Sequence, residues 1–366
     1  MPKSLFGLTF EEAESLAKQH VPTGAGFTKD LYASAFRAGR FEPEALPIKS
    51  ESKGAFRELF DVALPKVKRT IEEPNAEGVS TMKAVLELAD GLEVEVVRIP
   101  MGPDKLTLCI SSQVGCKMAC SFCETGRMGL VRNLEAHEIV GQIVVALTGL
   151  AWPIKNIVFM GMGEALDNRA AVFQALRVLS DRRGLSIGQP RITVCTAGHV
   201  DGIDELRSLG LKRLGLSLSL NGARDELRSR IMPVNRKWSL SDVQAALLRY
   251  RAAAPRLAFG INYCLLPGLN DTREDVDAIA EFCRPLGKLM VNVIPYNPGS
   301  APLTRAPTED EISSFLSSIA ERGLPVRRRI TRGRTVMAAC GQLGNVELRS
   351  QLFASARTGH RFRPRP

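Results

Sequence analysis

From residue 105 onward, short apolar runs alternate with helical stretches, and this rhythm limits the chain more than any other feature. The runs are Leu106–Ile110, Asn156–Met160, Arg191–Cys195, Arg213–Leu220, Leu257–Leu265, Leu289–Ile294 and Pro325–Ile330. Between most of them lie segments of helical periodicity: Glu135–Leu147, Ala170–Ser180, Gly202–Leu209, Leu240–Ala252, Arg273–Phe282 and Thr308–Glu321. Strand and helix alternating in this way predict βαβ units, a parallel sheet and right-handed crossovers. Six or seven such units predict an α/β fold, a complete or partial (β/α) barrel, whose chemistry sits in the loops after the carboxyl ends of the strands.

The segment before the barrel reads differently. Thr9 with Glu12 three residues on forms a capping box, and Phe10, Ala13, Leu16 and Ala17 then recur at helical spacing. Further helices fit Lys29–Ala38 and Ala55–Leu64, and Thr81–Leu88 and Leu92–Ile99 read as a hairpin across Asp90-Gly91. The expected organisation is a small helical accessory domain over residues 1–75 and a hairpin linker over 76–104. The barrel over 105–345 and a basic tail over 346–366 complete it. No apolar run approaches the roughly 18 residues of a spanning helix, and the start is too brief for a secretory signal. The expectation is a cytoplasmic monomer without membrane attachment.

Cys116, Cys120 and Cys123 follow the first barrel strand, where a functional loop belongs. Thiolates are soft ligands suited to zinc, copper(I) or iron–sulfur clusters, and Gly115 permits the close backbone approach that converging sulfurs demand. Zinc would need a fourth ligand, for which Cys109 is the candidate. A ferredoxin would place its fourth cysteine within the same spacing pattern. Three thiolates on a four-iron cube leave one iron open for a substrate. The spacing C-x3-C-x-aromatic-C, with Phe122 in the aromatic position, is the signature of the radical S-adenosylmethionine (SAM) superfamily.

Around that cluster the chain resembles the RlmN/Cfr family of RNA adenosine methyltransferases. The resemblance is carried by Leu108 to Cys116, Thr125-Gly126, Arg132-Asn133-Leu134, Glu138-Ile139-Val140 and Gly161-Met162-Gly163-Glu164. Arg228 to Asn235, Ile294 to Pro298 and Ala338 to Leu343 continue it in the family's order, over roughly residues 80 to 345. It implies a barrel of radical SAM type and an RNA-contacting role for the helical domain. Its cofactors would be one [4Fe-4S] cluster on Cys116, Cys120 and Cys123 and SAM as methyl donor and radical source. Gly163, Glu164, Cys195, Ser219, Leu220, Asn221 and Asn297 match SAM-contacting positions. Cys340 matches a cysteine that carries the methyl group as a thioether, Cys109 a residue that later pairs with Cys340 in a transient disulfide, and Glu95 a proton acceptor. By strand alternation alone Glu95 would face solvent, and Cys340 would be a small buried apolar residue. Cys264 and Cys283 have apolar neighbours and no motif, and read as core.

The implied reaction is methylation of an adenine ring carbon, carbon-2 favoured over carbon-8, in ribosomal RNA, with transfer RNA open as a second substrate. Another radical SAM enzyme with a diverged substrate is the alternative. A flavodoxin or ferredoxin would supply electrons. The net charge of +10 suits a polyanionic partner. Arg322, Arg327, Arg328, Arg329, Arg332 and Arg334, with Lys66, Lys68 and Arg69, are candidate phosphate contacts. With aromatics at only 6%, shape and backbone recognition are expected over base stacking. The sequence departs from the family pattern at Glu124, Ala165, Cys195 and Asn221.

Overall fold

The computed structural model describes residues 2–74, 80–102 and 105–345; the basic tail expected over 346–366 lies outside them. Strands β1 (Lys3–Ser4) and β2 (Phe60–Asp61) pair in parallel beside the N-terminal helices. The main sheet has ten strands. Its antiparallel part is β3 (Lys66–Glu73), β4 (Thr81–Glu87) and β5 (Glu93–Pro100). β6 (Leu106–Ile110) joins β5 antiparallel and begins the parallel part. After the small antiparallel pair β7 (Gln113–Gly115) and β8 (Leu130–Asn133) come β9 (Asn156–Phe159), β10 (Ile192–Thr196) and β11 (Gly215–Ser219). β12 (Phe259–Leu265), β13 (Leu289–Pro295) and β14 (Val326–Arg328) complete the sheet. The strand order is β14-β13-β12-β11-β10-β9-β6-β5-β4-β3, so the sheet does not close on itself and the barrel is partial.

The helices between the parallel strands lie close to their expected places, because their start signals are strong. Ser239, Thr272 and Thr308 each cap a helix through a reciprocal box with Asp242, Asp275 and Glu311. Thr9 and Glu12 do the same for Phe10–His20. The N-terminal segment docks on the barrel's outer helices through Phe10 N–H, which donates to Asp181 at 2.6 Å, and Gln174, which donates to the Gly7 carbonyl.

Two elements differ from the sequence reading. The third helix runs Ser50–Leu59 and not Ala55–Leu64, because Phe60 is buried and its backbone joins β1. The stretch read as helical up to residue 75 also contains β3, which extends the hairpin to three strands. Its sequence KVKRTIEE lacks an apolar face because β3 is a sheet edge, and charged side chains there discourage pairing with other chains.

Register fixes which side chains share the inner face. Cys109 lies opposite Val97, two residues from Glu95, so Glu95 and Cys109 point the same way. On the parallel side, Cys109 aligns with Val158, Val158 with Thr193, Cys195 with Ser217, and Asn262 with both Ser219 and Asn292. Asn292 aligns with Arg327. No helix among the described residues is long and apolar enough to cross a membrane.

Candidate active site

The loops after β6, β9, β10, β11, β13 and β14 converge on one end of the partial barrel, and they carry nearly all the residues singled out above. The loop after β6 is wound so tightly that it excludes side chains: a Cβ on Gly115 (φ +78°) would come within 1.9 Å of the Gly129 carbonyl oxygen, and one on Gly126 within 2.9 Å of Cys120 N. Cys123 N–H closes a turn onto the Cys120 carbonyl at 3.2 Å, and Cys116 N–H donates to Gly129 O at 3.0 Å. Burial pushes all three thiols up, Cys120 to about 12, and their mutual repulsion adds to the shift of Cys116. Such a set of crowded, desolvated thiols favours a positively charged ligand. Among the described residues no three His, Cys, Asp or Glu side chains close on a single metal ion. A cubane distributes its thiolates over separate irons and does not require that convergence, so these three cysteines fit such a cluster in donor chemistry.

Beside this loop stands a prearranged polar wall. Gly163 (φ +102°) turns where a Cβ would meet Gln113 and Ser112 at 2.6 and 2.8 Å. Glu164 is buried; its carboxylate accepts from Ala197 N at 2.7 Å and Leu166 N at 3.2 Å. Burial nonetheless raises its pKa overall, against those hydrogen bonds and the His199 charge. Cys195 sits on β10, its thiol pushed up to about 12 by burial against the pull of Arg329. Ser219 ends β11, Leu220 and Asn221 follow it, and Asn297 is buried after β13.

Sequence reasoning named Arg228 only as part of a motif, yet it organises this wall. Its side chain is fully buried and donates to the carbonyls of Leu220 (3.0 Å), Ala197 (2.6 Å) and Ser219 (3.4 Å) and to Asn235 Oδ1 (2.8 Å). Burial pulls its pKa down to about 10, and its charge bears on Cys120 and Glu164. It therefore ties the loops after β10 and β11 together and remains a cation at neutral pH.

Two of the positions that diverge from the family pattern, Asn221 and Glu124, have local explanations. Asn221 is left-handed (φ +53°), a conformation asparagine tolerates. Its Oδ1 accepts from Cys264 N at 2.8 Å and its own carbonyl accepts from Asn270. Glu124 is buried and accepts from Ser300 N (2.9 Å), Ser300 Oγ (2.7 Å) and Arg127 (3.0 Å), joining the cysteine loop to the loop after β13. Nothing in the structure explains Ala165.

Cys340 lies on a final loop folded back over the barrel end. A cavity of about 470 Å³ is lined by Cys109, Met160, Asn297, Arg327, Arg329 and Cys340, among others. Cys340 Sγ is 3.8 Å from Met160 Sδ, and Cys109 is pushed far up by burial, then by Cys340 and Cys195. All eight cysteines are free, so the Cys109–Cys340 pairing implied by the resemblance is not formed here. Cys264, expected in the core, is half-buried and packs against it, and after the dominant effect of burial it feels the charges of Cys340 and Cys123. Cys283 is buried.

Glu95 does not face solvent. Its carboxylate accepts from Lys83 Nζ at 3.2 Å and from Gly344 N at 3.1 Å, and its side chain is only 13% exposed. Lys83 also donates to Met337 O at 3.0 Å. Lys83 lies opposite Val97 and so shares the inner face with Glu95; that buried lysine on an apolar strand was a readable signal. Part of the basic set is neutralised on the outer surface: Arg322 bridges Asp277 at 2.8 Å, Arg328 pairs with Glu309, and Lys68 bridges Glu93 at 2.7 Å.

Comparison with known proteins follows the same lines. Residues 110–283 match the Radical SAM superfamily. The chain is 41% identical over 269 residues to a probable dual-specificity RNA methyltransferase RlmN 1 from Protochlamydia amoebophila, covering 74% of each chain. It is 36% identical over 363 residues to the dual-specificity RNA methyltransferase RlmN of Rhodospirillum rubrum, covering 96% of this chain and 82% of that one. A radical SAM methyltransferase from Sphaerobacter thermophilus superposes with a TM-score of 0.84 at 33% identity, over 93% of this chain and 99% of its own.

Proposed function

Because the chain belongs to the RlmN family of radical SAM RNA methyltransferases, we propose that it methylates carbon-2 of an adenosine in ribosomal RNA, and also in transfer RNA, through a methyl group carried on Cys340. The observation that carries this reading is the cavity that Cys340 and Cys109 share with Asn297, beside Cys195, which feels the charges of both Cys340 and Glu164.

Cys116, Cys120 and Cys123 would hold the [4Fe-4S] cluster, and Glu164, Cys195, Ser219, Leu220, Asn221 and Asn297 would surround SAM. The cluster and SAM together supply one-electron chemistry, which an electron-poor ring carbon needs because it cannot attack a methyl sulfonium directly. Electrons would come from a flavodoxin or ferredoxin. The protein's own side chains do the rest. Cys340 accepts the methyl group on sulfur, a role suited to a thiolate nucleophile, and holds it against the adenine; joining its carbon to the ring requires the loss of one methyl hydrogen and one electron, which that one-electron chemistry would take up, as well as the ring proton. Glu95, held by Lys83 and the Gly344 amide on the same inner face, removes the ring proton. The Cys109 thiolate then attacks Cys340 sulfur: the S–S bond forms, the bond from Cys340 sulfur to the transferred carbon breaks, and that carbon takes a proton to become the methyl group. An external dithiol returns both cysteines to the reduced state seen here. The target base must leave its stack to reach this cavity.

Anaerobic reconstitution with iron and sulfide, methyl-labelled SAM and RNA from a deletion strain tests the assignment by nucleoside mass spectrometry. Labelled 2-methyladenosine is expected. Label on carbon-8 would move the enzyme to the other branch of the family's chemistry, and no labelled adenosine would refute the reading.

A further inference from the structure

The inner face of the sheet carries a directed line of hydrogen bonds that ends at the cavity. Arg327 Nε donates to Asn292 Oδ1 at 2.6 Å. A guanidinium has no acceptor, so this contact fixes the amide: Asn292 Nδ2 donates to Asn262 Oδ1 at 3.0 Å, and Asn262 Nδ2 donates to Ser217 Oγ at 3.0 Å. Asn262 and Asn292 are almost wholly buried, at 2% and 3% exposure. A Cβ at residue 260 would strike Ser217 Oγ at 2.3 Å, so Gly260 keeps the line intact. Four strands thus cooperate to hold one arginine of β14 in a single orientation toward the cavity.

That cavity has an unusual charge balance. Arg327, Arg328, Arg329 and Arg332 line it, and no Asp or Glu does. Arg328 turns outward to Glu309. Arg327 and Arg329 have no carboxylate partner among the described residues, and they repel one another while burial already disfavours the Arg327 charge. Two guanidiniums brought together in a recess, one of them locked by buried amides, form a site for an oxyanion, since bidentate N–H donors match phosphate geometry.

We propose that Arg327 and Arg329 are an anion subsite that grips a phosphate of the RNA backbone beside the target adenosine as its base enters toward Cys340. This rests on the RNA methylation proposed above and names what holds the flipped nucleotide. The carboxylate of SAM offers the same oxyanion chemistry, and the experiment separates the two.

The test uses reconstituted enzyme and unmodified ribosomal RNA, with the variants Arg327→Gln and Arg329→Gln. Arg249→Gln, which removes an equal charge from an outer-surface pair with Asp204, is the control, and iron content confirms folding. The KM for RNA should rise on the order of tenfold in each cavity variant, as for loss of a hydrogen bond to a charged group. The kcat at saturating RNA and the KM for SAM should hold within about twofold, and the salt dependence of RNA binding should fall by about 0.7–0.9 in slope. A methylphosphonate at one linkage flanking the target should weaken wild type by the same factor and leave Arg329→Gln unaffected. Additive losses from neutral linkage and variant would overturn the subsite, as would a rise in the KM for SAM alone or no change beyond that of Arg249→Gln. Wild-type enzyme that methylates no RNA would overturn the function itself; normal wild-type turnover with unchanged variants would overturn only the subsite.

Discussion

The Glu164 wall and the Cys340 loop come together around Cys195, which feels the charges of both Glu164 and Cys340, but they are held in opposite ways. The wall is buried and internally bonded. Arg228 alone satisfies three backbone carbonyls and an amide oxygen, and both oxygens of Glu164 accept backbone N–H groups. The Cys340 loop is strapped from outside by separate contacts. Glu73 accepts from the amides of Gly333 and Thr335 and from the Thr335 hydroxyl, Lys83 from below reaches Met337, and Glu95 reaches Gly344. Thr125 and Gln342 add bonds to Leu343 and Pro298 carbonyls. On the function proposed above, a wall that holds a ligand in one pose would gain from rigid, buried donors, whereas a thiol that exchanges partners would need a support whose bonds can open one at a time.

The sharpest way to break that comparison is at the loop's only thiol. Cys340→Ala should abolish methyl transfer entirely while leaving cluster assembly and SAM binding intact, because the wall and cysteine loop do not depend on that sulfur. Nucleoside mass spectrometry and iron analysis read the two halves independently; residual turnover would mean the loop is not the carrier. Cys109→Ala should instead leave the first transfer intact and trap RNA covalently on the protein, visible as a shifted band that nuclease collapses.

Glu95→Gln comes next in size. The amide can keep a contact with Gly344 but cannot take a proton, so turnover should fall by about 10²–10⁴-fold with SAM binding unchanged. A smaller fall would make Glu95 a strap and not a base. Lys83, buried with it at 5% side-chain exposure, would then account for the pairing as structure alone.

Much of the wall was readable in sequence because its residues belong to motifs placed immediately after strands, and strand ends follow from the alternation. Asn262 and Asn292 were not, and Arg327 was legible only as one of a run of candidate phosphate contacts, since what sets it apart lies in register across four strands that local spacing does not report. The straps were hidden for the same reason. Glu73 lies in a strand whose charged sequence gave no β signal, and it meets Thr335 across 262 positions of chain. Alternation alone puts Glu95 on its strand but on the wrong side, and only the resemblance made it a proton acceptor, because alternation fixes which residues share a face and not which face is covered by a returning loop.

Glu73 supplies a graded test of the loop's support. Burial opposes its ionisation, but the hydrogen bonds from Thr335 and Gly333 and the charge of Arg332 together bring its pKa below the usual carboxyl value of 4.5. A lowered carboxyl stabilises the folded loop above the unfolded pKa and loses that contribution as pH falls through the folded one. At neutral pH the strap is therefore fully engaged, and Glu73→Gln should raise amide exchange at Gly333 and Thr335 by roughly tenfold, the worth of hydrogen bonds to a charged acceptor, without altering exchange in the wall.

Cys195→Ser should have the smallest effect, and it probes the wall. The thiol feels a hydrogen bond from Ser217, at the end of the line that begins at Arg327. A hydroxyl fits the same space, donates more strongly than a thiol and needs no thiolate to do so. Because the surrounding strands are already fixed, the exchange should lower the KM for SAM a few-fold and leave the KM for RNA, the cross-link of Cys109→Ala and amide exchange in the Cys340 loop where they were. A change in loop exchange on this substitution would show that wall and loop are mechanically coupled through the cavity, and the contrast between a fixed wall and a detachable carrier would have to be given up.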